Sequence, residues 1–383
     1  WILDGYTTSA TYPYSQRVDL QGATSDALSG AGTVLQAKQN INYIRNSVKA
    51  TVDAYDGTVT LYQFDDKDPV LTAWNKAFGG NLIKPKATIP PDLAAHFRYP
   101  EDLFKVQRDL LSKFHVSDPR QFNSGQDFWD VPDDPALSGA GQGKQPPYYL
   151  LTQFPGEQTQ RFQLTAALTP INRQNLSAVL TGVLGPEGVP KLELLELPRD
   201  NRIPGPGQAQ QNMVNDGQAR QQINLLQGQG NQATVVYANL LSLPYGGGLL
   251  YVQPLYVKSA NVQNAYPLMR LVLVSYGSSV GFAPTLQGAI DELVKKGAQS
   301  PTPPNQPNQP TTPTQPPTSG ELGAAAAKIQ AAIDRLQAAQ KAGDFTAYGQ
   351  ALTELNNAVR EFEAAQARAN SSASPTPSPS PTG

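Results

Sequence analysis

Leu249–Val257, LLYVQPLYV, and Leu268–Tyr276, LMRLVLVSY, are together with Thr234–Leu243 the most apolar stretches of this 383-residue chain. Their β-branched and aromatic residues favour strands, and the three glycines at 246–248 supply a turn. Nearly continuous apolar runs of this length are typical of strands that a protein buries. These stretches therefore predict strands in the interior of the fold.

The segments on either side extend this pattern. Pro206–Leu226 predicts a helix broken at Gly217, and Leu286–Lys296 predicts a closing amphipathic helix. Upstream, apolar runs between Gly and Pro turns predict one antiparallel series of strands. These strands are Tyr148–Phe154, Phe162–Leu168, Ala178–Val183 and Lys191–Leu197.

The first third of the chain mixes both kinds of element. Apolar residues at spacings of three and four, from Ile41 to Val52, predict a helix over Asn40–Ala54. Thr58–Phe64 predicts a strand, and Asp68 caps a following helix that begins with a proline. Strands and helices in separate runs predict an α+β fold, with a mixed, largely antiparallel sheet and flanking helices.

Composition divides the chain into four predicted parts. Residues 1–299 form the α+β domain, and 300–320 form a Pro/Thr/Gln-rich linker that cannot bury a core. Residues 321–369 predict a separate C-terminal α-helical hairpin, and 370–383 a disordered Ser/Pro tail. The chain starts at Trp1 in what resembles the middle of a strand, so we interpret it as an N-terminally truncated fragment.

The second helix of the predicted hairpin carries an apolar stripe that needs a cover. Small alanines on the first helix cover it only in part. We therefore expect the hairpin to dock on another apolar surface. The stripe consists of Phe345, Tyr348, Leu352, Leu355, Val359 and Phe362.

Charge and composition exclude several classes of function. The formal net charge is −2, which argues against nucleic acid as a partner because its binders present basic surfaces. The absence of cysteine excludes disulfides, thiolate metal sites and a Cys nucleophile. With only His96 and His115 present, the sequence offers little for a His-based centre. No cofactor is predicted.

Two uncharged runs, Gln221–Val257 and Leu271–Ile290, are long enough to be tested as membrane spans. Pro, Gly and Gln interrupt the first run, and Ser, Gly and Pro interrupt the second. Both are better explained as buried strands with turns.

Two aspartate clusters are the candidate sites. Asp65, Asp66 and Asp68 could hold a hard cation, but their spacing does not match a calcium loop. We favour a solvated turn with a helix cap for them. The denser cluster contains Asp127, Asp130, Asp133 and Asp134, with Trp129 set among them. Paired carboxylates can perform acid–base chemistry or hold a metal, although aspartates next to prolines are also expected in turns.

Five short segments of this sequence resemble segments that occur in the same order in a known family. They are WILDGYTTS at 1–9, NYIRNSVK at 42–49, DAYDGTV at 53–59, RYPEDLF at 98–104 and FWDVP at 128–132. They resemble an uncharacterised protein family of large actinobacterial and cyanobacterial multi-pass membrane proteins. The resemblance implies several transmembrane helices before this chain, and a location of the chain on the extracytoplasmic face of the cell membrane. It implies no activity.

Three functions stay open. The first is a non-enzymatic interaction and assembly domain, whose partners are its own transmembrane region, a second copy or other envelope membrane proteins. The second is a lipid- or glycan-binding or transport module of the envelope, for which aromatic side chains are available. The third is a hydrolase that uses the aspartates of the second cluster. The aromatic residues in question are Trp74, Phe78, Trp129, Tyr148 and Tyr149.

Overall fold

The computed structural model describes residues 1–29, 35–137, 143–185, 188–198, 203–228, 233–260 and 265–299, together with single positions between 328 and 361. The chain divides into two units, Trp1–Pro301 and Thr302–Gly383. The predicted linker and the Ser/Pro tail lie outside the described residues.

The first unit begins with a three-stranded antiparallel sheet in the order β1-β4-β5. A small pair, β2 and β3, leads into it with helix α1, and four helices and a short strand β6 follow it. The strands are β1 (Ile2–Ser9), β2 (Val18–Asp19), β3 (Asn40–Ile41), β4 (Tyr43–Val52), β5 (Val59–Gln63) and β6 (Trp129–Asp130). The helices are α1 (Leu20–Thr24), α2 (Pro69–Ala77), α3 (Pro91–Ala94), α4 (Glu101–Phe114) and α5 (Pro119–Ser124).

The helix predicted over Asn40–Ala54 is wrong, because β4 occupies this segment. Ile44, Val48 and Val52 are four residues apart, and an even spacing fits the alternation of a strand as well as the turn of a helix. Their β-branched side chains favour the strand, and the pairing with both β1 and β5 decides between the two.

Two five-stranded antiparallel sheets form the rest of the unit. The second sheet has the order β10-β9-β8-β6, with β7 also paired to β8. The third has the order β11-β13-β14-β15, with β12 also paired to β13. Their strands are β7 (Tyr148–Thr152), β8 (Arg161–Pro170), β9 (Ala178–Leu184), β10 (Pro190–Glu196), β11 (Ala233–Tyr237), β12 (Leu241–Tyr245), β13 (Gly248–Ser259), β14 (Leu268–Tyr276) and β15 (Ser279–Ala283).

Every pairing of named strands is antiparallel, and the α+β prediction is confirmed. One detail differs from expectation and another agrees with it. The strand predicted at Thr234–Leu243 is two strands, β11 and β12, which pair with successive halves of β13. The helix predicted to break at Gly217 is indeed α6 (Pro206–Asn215) followed by α7 (Gly217–Gln227).

The central strands are apolar because both of their faces are buried. On β14, Leu271 and Leu273 belong to the main core that the second and third sheets share with α6 and α7. The alternate residues Val272 and Val274 pack on the other face, against Ala289 and Leu293 of α8 (Leu286–Gln299). The second sheet is covered in the same way by α4. This layering explains nearly continuous apolar runs in place of alternation.

The second unit is helical at each position that the structure describes. Exposed ion pairs join Lys328 to Glu361 and Arg335 to Glu354, so that the residue numbers rise on one segment as they fall on the other. This is the pairing of an antiparallel helical hairpin. Of the predicted apolar stripe, Leu355 is half-buried, and the other five residues lie outside the described residues. Docking of the hairpin stays a prediction.

Candidate functional site

The first aspartate cluster is a structural cap. Asp68 is fully buried and accepts hydrogen bonds from the hydroxyls of Thr7, Ser47 and Tyr43 at 2.5–2.6 Å, and from the N–H of Val70 at 2.9 Å. It thereby ties the start of α2 to β1 and β4. Burial alone would raise its pKa, but the hydrogen bonds from Ser47, Thr7 and Tyr43 outweigh burial, and the pKa of Asp68 lies below its ordinary value of 3.8.

Its two neighbours do not join it in a cation site. Asp65 pairs with Arg45 at 2.5 Å, and the side chain of Asp66 is exposed. Among the described residues, no group of three or more His, Asp and Glu side chains is placed to hold a metal ion. The predicted helix cap is present, but the turn is not solvated throughout, because Asp68 is fully buried.

The four aspartates of the second cluster contact different parts of the structure. Asp130 and Asp133 both contact the ammonium group of Lys144, at 2.9 and 3.5 Å, on the surface. Asp134 is buried and caps the N–H of Ala136, and burial raises its pKa. Asp127 instead lines an open groove of about 690 Å³ next to Trp129. Two of the five predicted residues therefore lie in a cavity.

The groove lies where the loop before β6 meets the turn between β8 and β9 and the end of β10. Its lining is mainly polar, and includes Gln126, Asn172, Arg173, Asn175 and Glu196. Sequence reasoning missed these residues, because they come from three separate segments that only the sheet brings together. The one local indication of these residues in the sequence was the polar turn that follows the apolar run of β8.

His115 fixes one wall of the groove. Its ring stacks on Trp129 with 3.4 Å between the ring centroids and 10° between the planes. One ring nitrogen lies 2.9 Å from the carbonyl oxygen of Leu111, and the other lies 3.1 Å from the carbonyl oxygen of Asp127. The residue, which is the C-cap of α4, therefore links the end of this helix to the groove loop.

The covered face of the first sheet contains a buried charge. Lys49 is almost fully buried, and its ammonium group contacts the carboxylate of Asp4 and the carbonyl oxygen of Arg98. It also lies 4.7 and 5.5 Å from the ring centroids of Phe64 and Phe97. Burial lowers the pKa of Lys49, and the charge of Asp4 offsets only part of this effect. A single buried ammonium group therefore lies among aromatic rings on this face and reaches out to the exposed carboxylate of Asp4.

The opposite face of the same sheet is apolar and faces solvent. Leu3 pairs with Ala50, which pairs with Leu61, and directly paired residues share one face of a sheet. Trp1 exchanges two backbone hydrogen bonds with Val52, which pairs with Val59. Trp1 is 84%, Leu3 54% and Val59 60% exposed. We name this surface the apolar sheet face, and it comprises Trp1, Leu3, Ala50, Val52, Val59 and Leu61.

Helix α2, which packs against β1, presents further apolar side chains to solvent. Trp74 and Phe78 stack at 5.8 Å between ring centroids and are both more than half exposed. Antiparallel sheets usually turn their apolar face inward and their polar face to water. The first sheet departs from this rule because its solvent-facing side is apolar, and large exposed apolar surfaces mark interaction sites.

No helix in the described part of the chain is long and apolar enough to cross a membrane. The first uncharged run contains the end of α7 with β11, β12 and most of β13, and the second contains most of β14, β15 and the start of α8. The predicted strands are present in both runs, but each run also contains helical residues.

Comparison with known proteins identifies relatives along nearly the whole chain. A model of the Uncharacterised protein family (UPF0182) matches residues 1–226. UPF0182 proteins of Salinispora tropica and Salinispora arenicola are 58% and 59% identical over 96% and 95% of the chain, and one of Saccharopolyspora erythraea is 47% identical over 95%. No solved structure matches.

The match covers only part of each relative. The chain spans 38% of the length of both Salinispora proteins and 39% of the Saccharopolyspora protein. The family resemblance of the five short segments is thereby confirmed, and the chain belongs to the UPF0182 family.

Proposed function

We propose that residues 1–299 are a non-enzymatic interaction and assembly domain of a larger UPF0182 protein. The observation that carries the proposal is the apolar sheet face, on which Trp1, Leu3 and Val59 are all more than half exposed, whereas Lys49 is buried on the opposite face. Fully burying a side chain of this size is favourable by about 1.5–3 kcal/mol. Because they are already partly buried, covering the three gains on the order of 3–6 kcal/mol before the costs of association.

The proposed partner is the part of the same polypeptide outside residues 1–383. The relatives are more than twice as long as this chain, so most of each protein is available to cover the apolar sheet face. A second copy of the chain or another envelope membrane protein are the competing partners.

The test co-expresses the 383-residue chain with the remainder of the full-length protein as two polypeptides. Leu3→Glu and Val59→Glu, which put a charge on the apolar sheet face, should abolish co-purification of the two. Leu225→Glu changes an equally exposed leucine of α7 and serves as the matched control. Retention of the remainder by the Leu3→Glu and Val59→Glu variants would show that this face is not the docking surface.

Light scattering on the 383-residue chain separates the competing partners. Its mass is 41.1 kDa, so a dimer that Leu3→Glu dissociates would assign the apolar sheet face to a second copy. A monomer that captures the remainder supports the intramolecular partner.

We further propose that the domain lies on the extracytoplasmic side of the cell membrane. The lack of cysteine and the family resemblance support this location. Because the chain has no cysteine, a single Gln158→Cys variant at an exposed loop position gives a clean reporter in full-length protein whose other cysteines are replaced. A membrane-impermeant maleimide should label it in intact cells, and labelling only after lysis would place the domain inside.

The hydrolase hypothesis has less support. Of its four aspartates, only Asp127 lines the groove, whereas Asp130 and Asp133 contact Lys144. Replacing Asp130 and Asp133 by Asn is its test, and an unchanged phenotype would retire it.

A further inference from the structure

The groove beside Trp129 has the lining of a ligand site. Its volume of about 690 Å³ lies within the range of 300–1,000 Å³ that is usual for small-molecule sites. Neutral hydrogen-bonding side chains predominate, and they are joined by charges of both signs. The residues that carry this character are Gln126, Asn172, Arg173, Asn175, Ser177 and Glu196.

The walls of the groove are tied to each other before any ligand binds. Trp129 pairs with Pro170 across β6 and β8, and the N–H of Ile171 donates to the carbonyl oxygen of Phe128 at 3.0 Å. His115 stacks on Trp129 and bonds to the backbone of Asp127. A site of this kind binds with little cost of ordering, because its geometry is set by the scaffold.

We propose that this groove binds a neutral, polyhydroxylated ligand, an oligosaccharide. Each hydroxyl group of a sugar both donates and accepts hydrogen bonds, and amide side chains such as those of Gln126 and Asn175 offer both functions at once. Arg173 supplies donors and Glu196 supplies acceptors. The apolar surfaces of Ile171 and Pro198 lie beside these polar groups and suit the C–H face of a sugar ring.

Other ligand classes fit the lining less well. An anion would meet the carboxylates of Asp127 and Glu196 against the single guanidinium of Arg173. A metal ion would need converging ligands, and the described residues contain no such group. A lipid tail would need an apolar lining, whereas polar side chains make up most of this one.

The test titrates the 383-residue chain with soluble linear tetrasaccharides of glucose, mannose and N-acetylglucosamine by isothermal calorimetry. We expect saturable binding of at least one, with a Kd below about 1 mM, and a loss of about tenfold in Arg173→Ala, since a hydrogen bond to a charged group is worth about 1.5 kcal/mol. Arg220→Ala on the exposed side of α7 is the matched control and should bind as the unchanged chain does.

A second pair, Gln126→Ala and Gln221→Ala, repeats the comparison without a change of charge. All four positions are exposed, so the fold should tolerate each change, and circular dichroism checks this. The absence of saturable heat for the three sugars would overturn the proposal. Equal affinities of Arg173→Ala and Arg220→Ala would also overturn it, because binding would then lie elsewhere.

Discussion

Asp68 is the residue whose replacement tests the N-terminal part of the structure most directly. In Asp68→Ala the cap of α2 loses its acceptor, at a cost of about 1 kcal/mol. The hydroxyls of Thr7, Ser47 and Tyr43 lose the carboxylate as well. Ser47 is fully buried, and a buried donor without its acceptor costs about 1–3 kcal/mol. We therefore expect a total loss of about 3 kcal/mol in the free energy of unfolding.

Urea unfolding of the 383-residue chain, followed by circular dichroism, measures this loss. With a slope of about 3 kcal/mol per molar, which is appropriate for a large domain, the midpoint should fall by about 1 M. Asp66→Ala is the matched control, because it removes an exposed carboxylate two residues away and should change stability by less than about 0.5 kcal/mol. Equal midpoints for the two variants would refute the hydrogen-bonded arrangement around Asp68.

The same carboxylate gives a pH dependence with a definite sign. Its pKa in the folded state is lower than the ordinary value of 3.8. The unfolded state therefore takes up a proton first, and the stabilisation is fully present above that value and is lost as the pH falls through the folded pKa. The side chain in Asp68→Asn cannot ionise, so the urea midpoint of this variant should not show this loss of stability at acid pH. Parallel pH profiles of the two proteins would contradict the lowered pKa.

Further changes test other parts of the first unit. Burial lowers the pKa of Lys49 below 10.5 in the folded state. As the pH rises towards 10.5, the folded state therefore loses this proton before the unfolded state does, and stability should increase. Urea midpoints measured over this pH range should not show the increase in Lys49→Met. Gly281→Ala would place a Cβ 2.2 Å from the carbonyl oxygen of Ala289 and should lower the thermal midpoint, whereas Gly207→Ala in open space should not. Leu273→Ala should cost about 2–5 kcal/mol in urea unfolding, and a loss below 1 kcal/mol would argue against the shared core.

The parts of the fold that could be predicted are those in which local pattern and burial agree. Leu268–Tyr276 is apolar along its whole length, and β14 occupies those residues because two different layers cover its two faces. The helix predicted over Asn40–Ala54 was wrong because apolar residues that are four positions apart fit one face of a helix and one face of a strand equally well. Only the long-range pairing of β4 with β1 and β5 separates the two, and a single sequence does not contain it.

The candidate sites show the same limit. Asp127 and Trp129 could be selected from the sequence because they stand in one aromatic and acidic loop. Their partners in the groove, Asn172, Arg173 and Glu196, are between 40 and 70 residues further along and carry no motif. The hydrogen bonds of Asp68 to Thr7 and Ser47 are equally remote in the chain, and the Asp68-Pro69 cap signal indicated the helix start without them.

The energetics of the first sheet bear on the proposed interface. Burying the ammonium group of Lys49 costs free energy that its contact with Asp4 offsets only in part, as its lowered pKa shows. Exposing Trp1, Leu3 and Val59 leaves about 3–6 kcal/mol of possible burial unused, which is a large fraction of the usual stability of a domain. The proposed partner would cover the apolar sheet face and recover part of the second of these costs, whereas Lys49 lies on the opposite face of the sheet. The Glu variants at Leu3 and Val59 should thus leave the separate chain almost as stable as before, and weaken only its assembly.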